Sequence, residues 1–228
     1  MEDKISSFFL FLCTITSSEK YLVTYLIALS MNIIPLISLR KGSILDGKDG
    51  NLISLDDLFK RVEKDSMLYV LDLDGIEQNN PNLELYQRLT EHCVLWIDDG
   101  PRRIDDIMDT IMAGATNITL REDLWPEMDL PGVFELTDDE VYIGINSIRR
   151  QLPFIASSLQ HDIGVVVFNQ EPQTDDTFTS ASFLKDLAIK HKLYLYTPVQ
   201  NTQAQWETRG ITGLLIDLNK KEGKQDGI

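Results

Sequence analysis

The chain has 228 residues, of which 43% are hydrophobic and 25% are charged, and its formal net charge is −15 at pH 7. This length allows one sizeable hydrophobic core or two small ones. A surface this acidic repels nucleic acid and anionic membranes, so we exclude both as main partners. The two cysteines, Cys13 and Cys93, form no motif. This usage is typical of free thiols in a reducing cytoplasm, where we place the protein.

Residues 1–30 differ from the rest of the chain, and we treat them as an N-terminal extension. Their apolar runs, 8–13 and 21–29, are shorter than the about 20 residues needed to span a bilayer, and the acidic start does not resemble a secretory signal. The extension is an extra helix that covers one end of the fold, a weak membrane-surface anchor, or sequence upstream of the true start. We favour the last interpretation, because Met31 directly precedes the first predicted strand.

From Met31 onward, short apolar runs alternate with amphipathic stretches. The runs are almost continuously hydrophobic, as expected of parallel strands buried on both faces. They predict eight strands, at 32–38, 67–73, 93–99, 117–120, 141–146, 163–169, 193–198 and 213–218. The amphipathic stretches predict helices at 54–64, 81–92, 103–115, 180–192 and 202–210. In the irregular segment 121–140, we expect the helix to be weak or replaced by a loop.

This alternation predicts a lean (β/α)₈ TIM barrel of the α/β class, forming a single domain over residues 31–228. An open, doubly wound sheet is the structural alternative. Local signals support three helix limits: Ser54 as a helix cap, Pro81 as a first helical residue, and Gly114 as a helix stop.

In such barrels the active site forms at the carboxyl-terminal ends of the strands, which we call the mouth, and the opposite face serves stability. Each histidine precedes a strand, so all are assigned to the stability face: His92, His161 and His191. No histidine is therefore expected to perform acid–base chemistry at the mouth.

Carboxylates follow several strands at the predicted mouth. Paired acids can act as general acid and base when burial separates their pKa values, and they can also hold a divalent cation. The candidate catalytic residues are Asp72, Asp99 and Asp217. The competing interpretation is that Asp72 and Asp99 only accept hydrogen bonds from loop amides and cap the strand ends.

Several segments resemble the histidine-biosynthesis barrels. They are "IIPLISLRKG" (33–42), "LYVLDLDGI" (68–76), "WIDDGPRRIDDIMDTIMAGATNITL" (96–120) and "YIGIN" (142–146). Their order and spacing are similar to those of the HisA isomerase of phosphoribosylformimino-aminoimidazole carboxamide ribotide, of its HisF cyclase relative, and most of all of the archaeal HisA/HisF-related proteins. The resemblance covers about 31–220. It implies a ribulose-phosphate-binding barrel and a small, phosphorylated ligand.

The resemblance also implies two catalytic aspartates, at the ends of the first and fifth strands. One serves as general base and the other as general acid in the rearrangement of an aminoaldose to an aminoketose. This chain has Ser38 and Asn146 at those positions. A serine hydroxyl has a far higher pKa than a carboxyl group, and an amide does not titrate. We therefore expect the family's activity to be changed or lost.

The family binds two phosphates with glycine-rich turns, whose amides approach an anion closely. The corresponding positions in this chain are Asp98-Asp99-Gly100-Pro101-Arg102, Arg121-Glu122, Pro198-Val199 and Asp217. Proline removes an amide donor and aspartate repels a phosphate, so one half-site is predicted to be lost. The candidate phosphate-binding residues that remain are Gly100, Arg102 and Arg121.

Three hypotheses for function follow. The first is a HisA/HisF-like barrel that has diverged in activity or is not catalytic. The second is a divergent isomerase or lyase that uses Asp72, Asp99 and Asp217, alone or with a divalent cation. The third is a protein-interaction module that uses the N-terminal extension, Trp125 or Trp206. We expect a small-molecule ligand, no cofactor, no dedicated metal ligands, no stable membrane span, and a monomer or homodimer.

Overall fold

The computed structural model describes residues 31–138, 140–146, 163–168, 177–197 and 210–221. The chain divides into two compact units, Met1–Asn32 and Ile33–Ile228. The fold described below is that of the second unit, and the proposed N-terminal extension lies outside the described residues. Within the described ranges, no helix is both long and apolar enough to cross a membrane.

The strands form one sheet that closes on itself. In chain order they are β1 (Asn32–Arg40), β2 (Ser43–Leu45), β3 (Leu52–Ile53), β4 (Met67–Asp72), β5 (Val94–Asp98), β6 (Ala115–Arg121), β7 (Glu140–Ile145), β8 (Gly164–Val167), β9 (Leu193–Tyr196) and β10 (Gly213–Asp217). Neighbours from β4 to β10 pair in parallel, and β1 pairs with both β4 and β10. The predicted eight-stranded barrel is confirmed, and the open-sheet alternative is wrong.

A short hairpin extends the barrel beyond its mouth. Strand β2 pairs antiparallel with the end of β1, and β3 pairs antiparallel with β2. The sequence did not predict this hairpin, because strands of three and two residues produce no recognisable apolar run. The hairpin positions the loop 46–50, which is part of the candidate site.

The helices cover the outside of the barrel. They are α1 (Leu55–Arg61), α2 (Leu73–Gln78), α3 (Leu83–Leu89), α4 (Ile104–Met112), α5 (Leu130–Leu136), α6 (Thr177–Lys190) and α7 (Leu218–Lys221). In the described part of the irregular segment 121–140, the one helix is α5, which has seven residues. The helix predicted at 202–210 lies outside the described residues except for Gly210.

Two of the three predicted helix limits are confirmed. The Ser54 side chain accepts a hydrogen bond from the Asp57 amide at the start of α1. Gly114, with φ of +107°, follows Ala113, the cap residue of α4, at the position where a residue without a side chain is favoured. Pro81 is not the first helical residue, because α3 begins at Leu83. The cap residue of α3 is Asn82. Its amide and its side chain donate hydrogen bonds to the Asp72 carboxylate, and these bonds fix where α3 starts.

Aromatic side chains fill the interior of the barrel. Trp96 lies at its centre, with its ring centroid 4.0 Å from Tyr142, 4.8 Å from Tyr194 and 5.1 Å from Tyr69. The Trp96 indole donates to the Thr119 hydroxyl oxygen at 2.9 Å, and the Thr119 hydroxyl in turn donates to the Tyr69 oxygen at 3.0 Å. The polar atoms of these large rings are thus satisfied, and burial of each ring stabilises the fold by about 2–3 kcal/mol.

The described histidines lie on the stability face, as predicted. The Nε2 atom of His92 is 2.9 Å from the Val62 carbonyl oxygen, and its ring stacks on Phe59 at 4.5 Å. The Nδ1 atom of His191 is 3.0 Å from the Ile163 carbonyl oxygen. Both residues precede a strand and hold neighbouring backbone. His161 lies outside the described residues.

Candidate functional site

A buried ion pair lies inside the mouth of the barrel. Trp96 and Asp98 on β5 share one face of the strand, because alternate residues of a strand point the same way. The Arg121 guanidinium reaches Asp98 from β6 with two hydrogen bonds, from Nη2 to Oδ2 at 2.6 Å and from Nε to Oδ1 at 2.8 Å. Asp98 has no exposed surface, and Arg121 is 5% exposed. We call this contact the mouth ion pair.

Neighbouring side chains complete the bonding of the mouth ion pair. The Tyr69 hydroxyl donates to Asp98 at 2.8 Å, and Arg121 Nη1 donates to the Asn146 amide oxygen at 3.2 Å. The guanidinium also lies 4.7 Å from the centroid of the Phe168 ring. Burial opposes the charge of Arg121, but the Asp98 carboxylate outweighs it and raises the pKa of Arg121 above its usual value. Arg121 therefore remains charged, and its contact with Asp98 occupies the interior of the mouth.

Ser38 holds a loop over the mouth. Its hydroxyl, which has no exposed surface, donates to the Gly47 carbonyl oxygen at 2.6 Å. Gly47 belongs to the loop 46–50, which lies directly on Asp217. A Cβ atom at Gly47 would be 2.7 Å from the Asp217 Cγ atom. Ser38 is therefore an anchor for this loop.

Asp217 meets the same loop from β10. Its Oδ1 atom accepts a hydrogen bond from the Lys48 amide at 3.0 Å, and both its oxygens are 3.1 Å from the Tyr196 hydroxyl. Burial and the Asp217 charge raise the pKa of Tyr196, which thus remains a neutral donor. Asp217 is 5% exposed. Ser38 and Asp217 are therefore brought together by the loop that both bind.

Asp72 has the structural role that the competing interpretation gave it, which is to cap an element by accepting hydrogen bonds. It caps α2 by accepting hydrogen bonds from the amides of Asp74 and Gly75. It also accepts from the Asn82 amide, the Asn82 side chain and the Tyr86 hydroxyl. Burial raises the pKa of Asp72, and these hydrogen bonds oppose the rise. The carboxylate joins β4 to α2 and α3 on the outer side of the barrel wall.

Asp99 also lies outside the barrel interior. Because it follows Asp98 directly, its side chain points the other way, towards α4, where its Oδ2 atom accepts from the Thr110 hydroxyl at 2.6 Å. Asp99 is 4% exposed, and no described residue donates to its Oδ1 atom. Burial, reinforced by the charges of Asp72 and Asp98, raises the pKa of Asp99 to about 7. The structure therefore does not bring Asp99 together with Asp217.

Two of the candidate phosphate-binding residues, Gly100 and Arg102, lie at the carboxyl end of α2. The Arg102 guanidinium donates to the carbonyl oxygens of Gly75 and Ile76, at 3.2 and 2.9 Å, and to the Asn79 side chain at 2.6 Å. An arginine here satisfies carbonyl groups at the negative end of the helix. Gly100 has φ of +67°, and a Cβ atom there would be 2.5 Å from Leu124. Both residues have packing roles, and the third candidate, Arg121, belongs to the mouth ion pair.

The described part of the chain contains no preformed metal site. No group of three or more histidine, cysteine, aspartate or glutamate residues in it could hold a metal ion.

The sequence analysis missed Asp98 as the carboxylate inside the mouth and Tyr69 as its hydrogen-bond donor. Alternation along β5 is the signal that could have found Asp98, because Trp96 must face the interior and Asp98 follows it by two residues. No comparable sequence signal predicts that Arg121 pairs with Asp98 across two strands.

Comparisons with known proteins agree with the fold. No protein-family model matches the chain, and no curated protein matches it. Among solved structures, the chain is similar to Xanthomonas albilineans dihydropteroate synthase in complex with indole-2-carboxylic acid and 6-chloroguanine. The two are 12% identical, with a TM-score of 0.53, and the match covers 83% of this chain and 88% of that one. The fold and this likeness define the class of the protein, a TIM barrel.

Proposed function

We propose that this chain is a cytoplasmic HisA/HisF-like barrel protein that does not catalyse the family's aminoaldose isomerisation. The observation that carries the proposal is the contact between Arg121 and Asn146. Through this contact Asn146, which stands at the family's second catalytic position, bonds to the mouth ion pair and not to a substrate. Ser38, at the first catalytic position, is engaged with Gly47. Neither side chain can exchange a proton with a sugar near neutral pH.

The mouth ion pair gives a second argument against a phosphosugar substrate. Such a substrate carries phosphate charges that need uncommitted donors. The Arg121 guanidinium is bound to Asp98, and removing it from that partner would leave a buried carboxylate unpaired, at a cost of about 3–5 kcal/mol. The interactions of a phosphate with Arg121 would have to offset that cost before they gave any net affinity.

A second candidate is the divergent isomerase or lyase, and the ionisation of Asp99 favours it. A pKa of about 7 is the value that suits a general acid or base at neutral pH. Against this candidate, Asp99 faces α4 and not the mouth, so a substrate would have to reach it from the outer side of the barrel wall. The protein-interaction hypothesis stays a prediction. Its described candidate, Trp125, is half-buried, and Trp206 lies outside the described residues.

The test is an assay of the full chain with the HisA aminoaldose substrate, together with calorimetric titration of the same compound. We expect no turnover above the uncatalysed rate and no saturable heat. The Ser38→Asp, Asn146→Asp double variant tests whether the two missing carboxylates are sufficient, and we expect it to be inactive because Arg121 would pair with the new aspartate.

Saturable turnover by the native chain would overturn the proposal. In that case Asp99→Asn is compared with Asp109→Asn, which removes an exposed acid from α4. A loss of activity in the first variant alone would identify Asp99 as the acid–base group and establish the second candidate.

A further inference from the structure

A cavity lies on the stability face of the barrel, at the amino-terminal ends of β7 and β8. Its volume is about 430 Å³, within the range of about 300–1,000 Å³ that is typical of small-molecule sites. The lining residues that the argument uses are Phe134, Asp138, Glu140, Tyr142, Ile163 and Lys192.

Two local features create this cavity. Helix α5 has seven residues, and at Thr137 the backbone is already extended, with φ of −143° and ψ of 140°. The helix is therefore too short to cover the start of β7. Gly164, at the start of β8, has no side chain, and a Cβ atom there would be 2.2 Å from the Tyr142 ring. The ring of Tyr142 occupies that space and lines the cavity.

The charged groups of the cavity are predominantly negative. Glu140 accepts hydrogen bonds from the Lys192 ammonium and from the Tyr142 hydroxyl. Burial alone would raise the pKa of Glu140, but these hydrogen bonds hold it below its usual value, so the carboxylate is ionised at neutral pH. Asp138 adds a second carboxylate to the lining. Among the described lining residues there are one lysine and two acids, so their formal net charge is about −1.

Apart from Thr137, the remaining described lining residues are apolar or aromatic. Phe134 and Ile163 contribute hydrocarbon surface beside the carboxylates, together with Pro131 and Val141. An occupant that matches both parts has a positive group and an apolar body. An anion is disfavoured by the two carboxylates and by the net charge of −15 on the whole chain.

We propose that this cavity binds a small organic cation, namely a primary amine that carries an apolar or aromatic group. Its ammonium lies at Asp138 and Glu140, and its apolar group packs against Phe134 and Ile163. Lys192 does not prevent this, because its ion pair with Glu140 is half-exposed, and such pairs are weak and easily rearranged. The site is on the opposite face from the mouth, so the proposal does not depend on the function proposed above.

The experiment uses the full chain and benzylamine as the probe, with phenylacetate and benzyl alcohol as the matched anion and neutral compound. Binding is measured by ligand-observed NMR at low ionic strength. We expect saturable binding of benzylamine, and binding of phenylacetate that is at least about tenfold weaker.

Two variants connect this binding to the cavity. Asp138→Asn removes a lining carboxylate, whereas Glu135→Gln removes an exposed one from α5 that does not line the cavity. The first should raise the Kd of benzylamine about 3- to 10-fold, and the second should leave it unchanged. The proposal is wrong if benzylamine does not bind at about 10 mM, if phenylacetate binds equally well, or if the two variants have the same effect.

Discussion

The buried Asp99 carboxyl should make the stability of the barrel depend on pH. Its pKa is about 7 in the folded chain, against the ordinary aspartate value of 3.8 in the unfolded chain. Between these values the folded state binds more protons, so the free energy of unfolding falls as pH rises from about 4 to 7. The stabilisation is fully present below the unfolded pKa and is lost as pH rises through the folded one. A difference of about three pKa units corresponds to roughly 4 kcal/mol.

The two carboxylates near Asp99 act on its pKa in the same direction as burial. Asp72 on β4 and Asp98 on β5 both raise its pKa, and the Thr110 hydroxyl on α4 opposes them. On α3, burial first, and then the Asp99 charge, raise the pKa of the Tyr86 hydroxyl, which remains protonated. The ionisation of Asp99 is therefore opposed by burial and by carboxylates on both β4 and β5.

The assay is urea denaturation of the native chain and of Asp99→Asn between pH 4 and 9. The asparagine oxygen can still accept from Thr110 but carries no charge. We expect the variant to gain stability over the native chain as pH rises, by about 2–4 kcal/mol at pH 8, with no further gain above it. The exposed Asp109→Asn variant is the control and should parallel the native chain. If the curves of native chain and Asp99→Asn are parallel across this range, the reasoning from burial is refuted.

The contacts at the mouth predict the effects of three further substitutions. Arg121→Met leaves Asp98 buried and unpaired, which should cost about 3–5 kcal/mol in urea denaturation, and a second change, Asp98→Leu, should recover most of it. Ser38→Ala removes the hydrogen bond to the Gly47 carbonyl, so stability should fall by about 1 kcal/mol and the Lys48 amide should exchange faster with deuterium. Gly47→Ala places a methyl group against Asp217 and should cost about 1–3 kcal/mol by the same denaturation assay. No recovery by Asp98→Leu, no change in Lys48 exchange, or unchanged stability of Gly47→Ala would each contradict the corresponding contact.

The barrel could be predicted from sequence because its signal is repeated. Each of the eight strands found in the closed sheet overlaps a predicted apolar run. A strand that is buried on both faces is almost continuously hydrophobic, and this pattern can be recognised without knowing which residues are in contact. The strand ends were identified as well, which located Ser38 and Asp217 correctly at the mouth.

The roles of individual carboxylates could not be predicted in the same way. Asp98 and Asp99 are neighbours in sequence, yet one lies inside the barrel and the other against α4. Near this point the pairing of β5 with β6 shifts register between Leu95 and Trp96, so alternation is harder to extend from sequence alone. Asp72 ends β4, as predicted, but α2 begins at the next residue, so the same carboxylate also caps a helix. These outcomes depend on contacts between elements distant in sequence.

The loop 46–50 connects the two ends of the barrel sheet. The Lys48 amide bonds to Asp217, 169 residues away in sequence, and the Asn219 amide bonds to the Asp46 carbonyl at 2.9 Å. These contacts cross the seam where the first and last strands meet, and they can form only after nearly the whole chain has been synthesised. Because contacts so far apart in sequence are slow to form, closure of this seam should be a late event in folding. A chain that stops before β10 would then expose the open edge of β1, where unpaired strands invite aggregation.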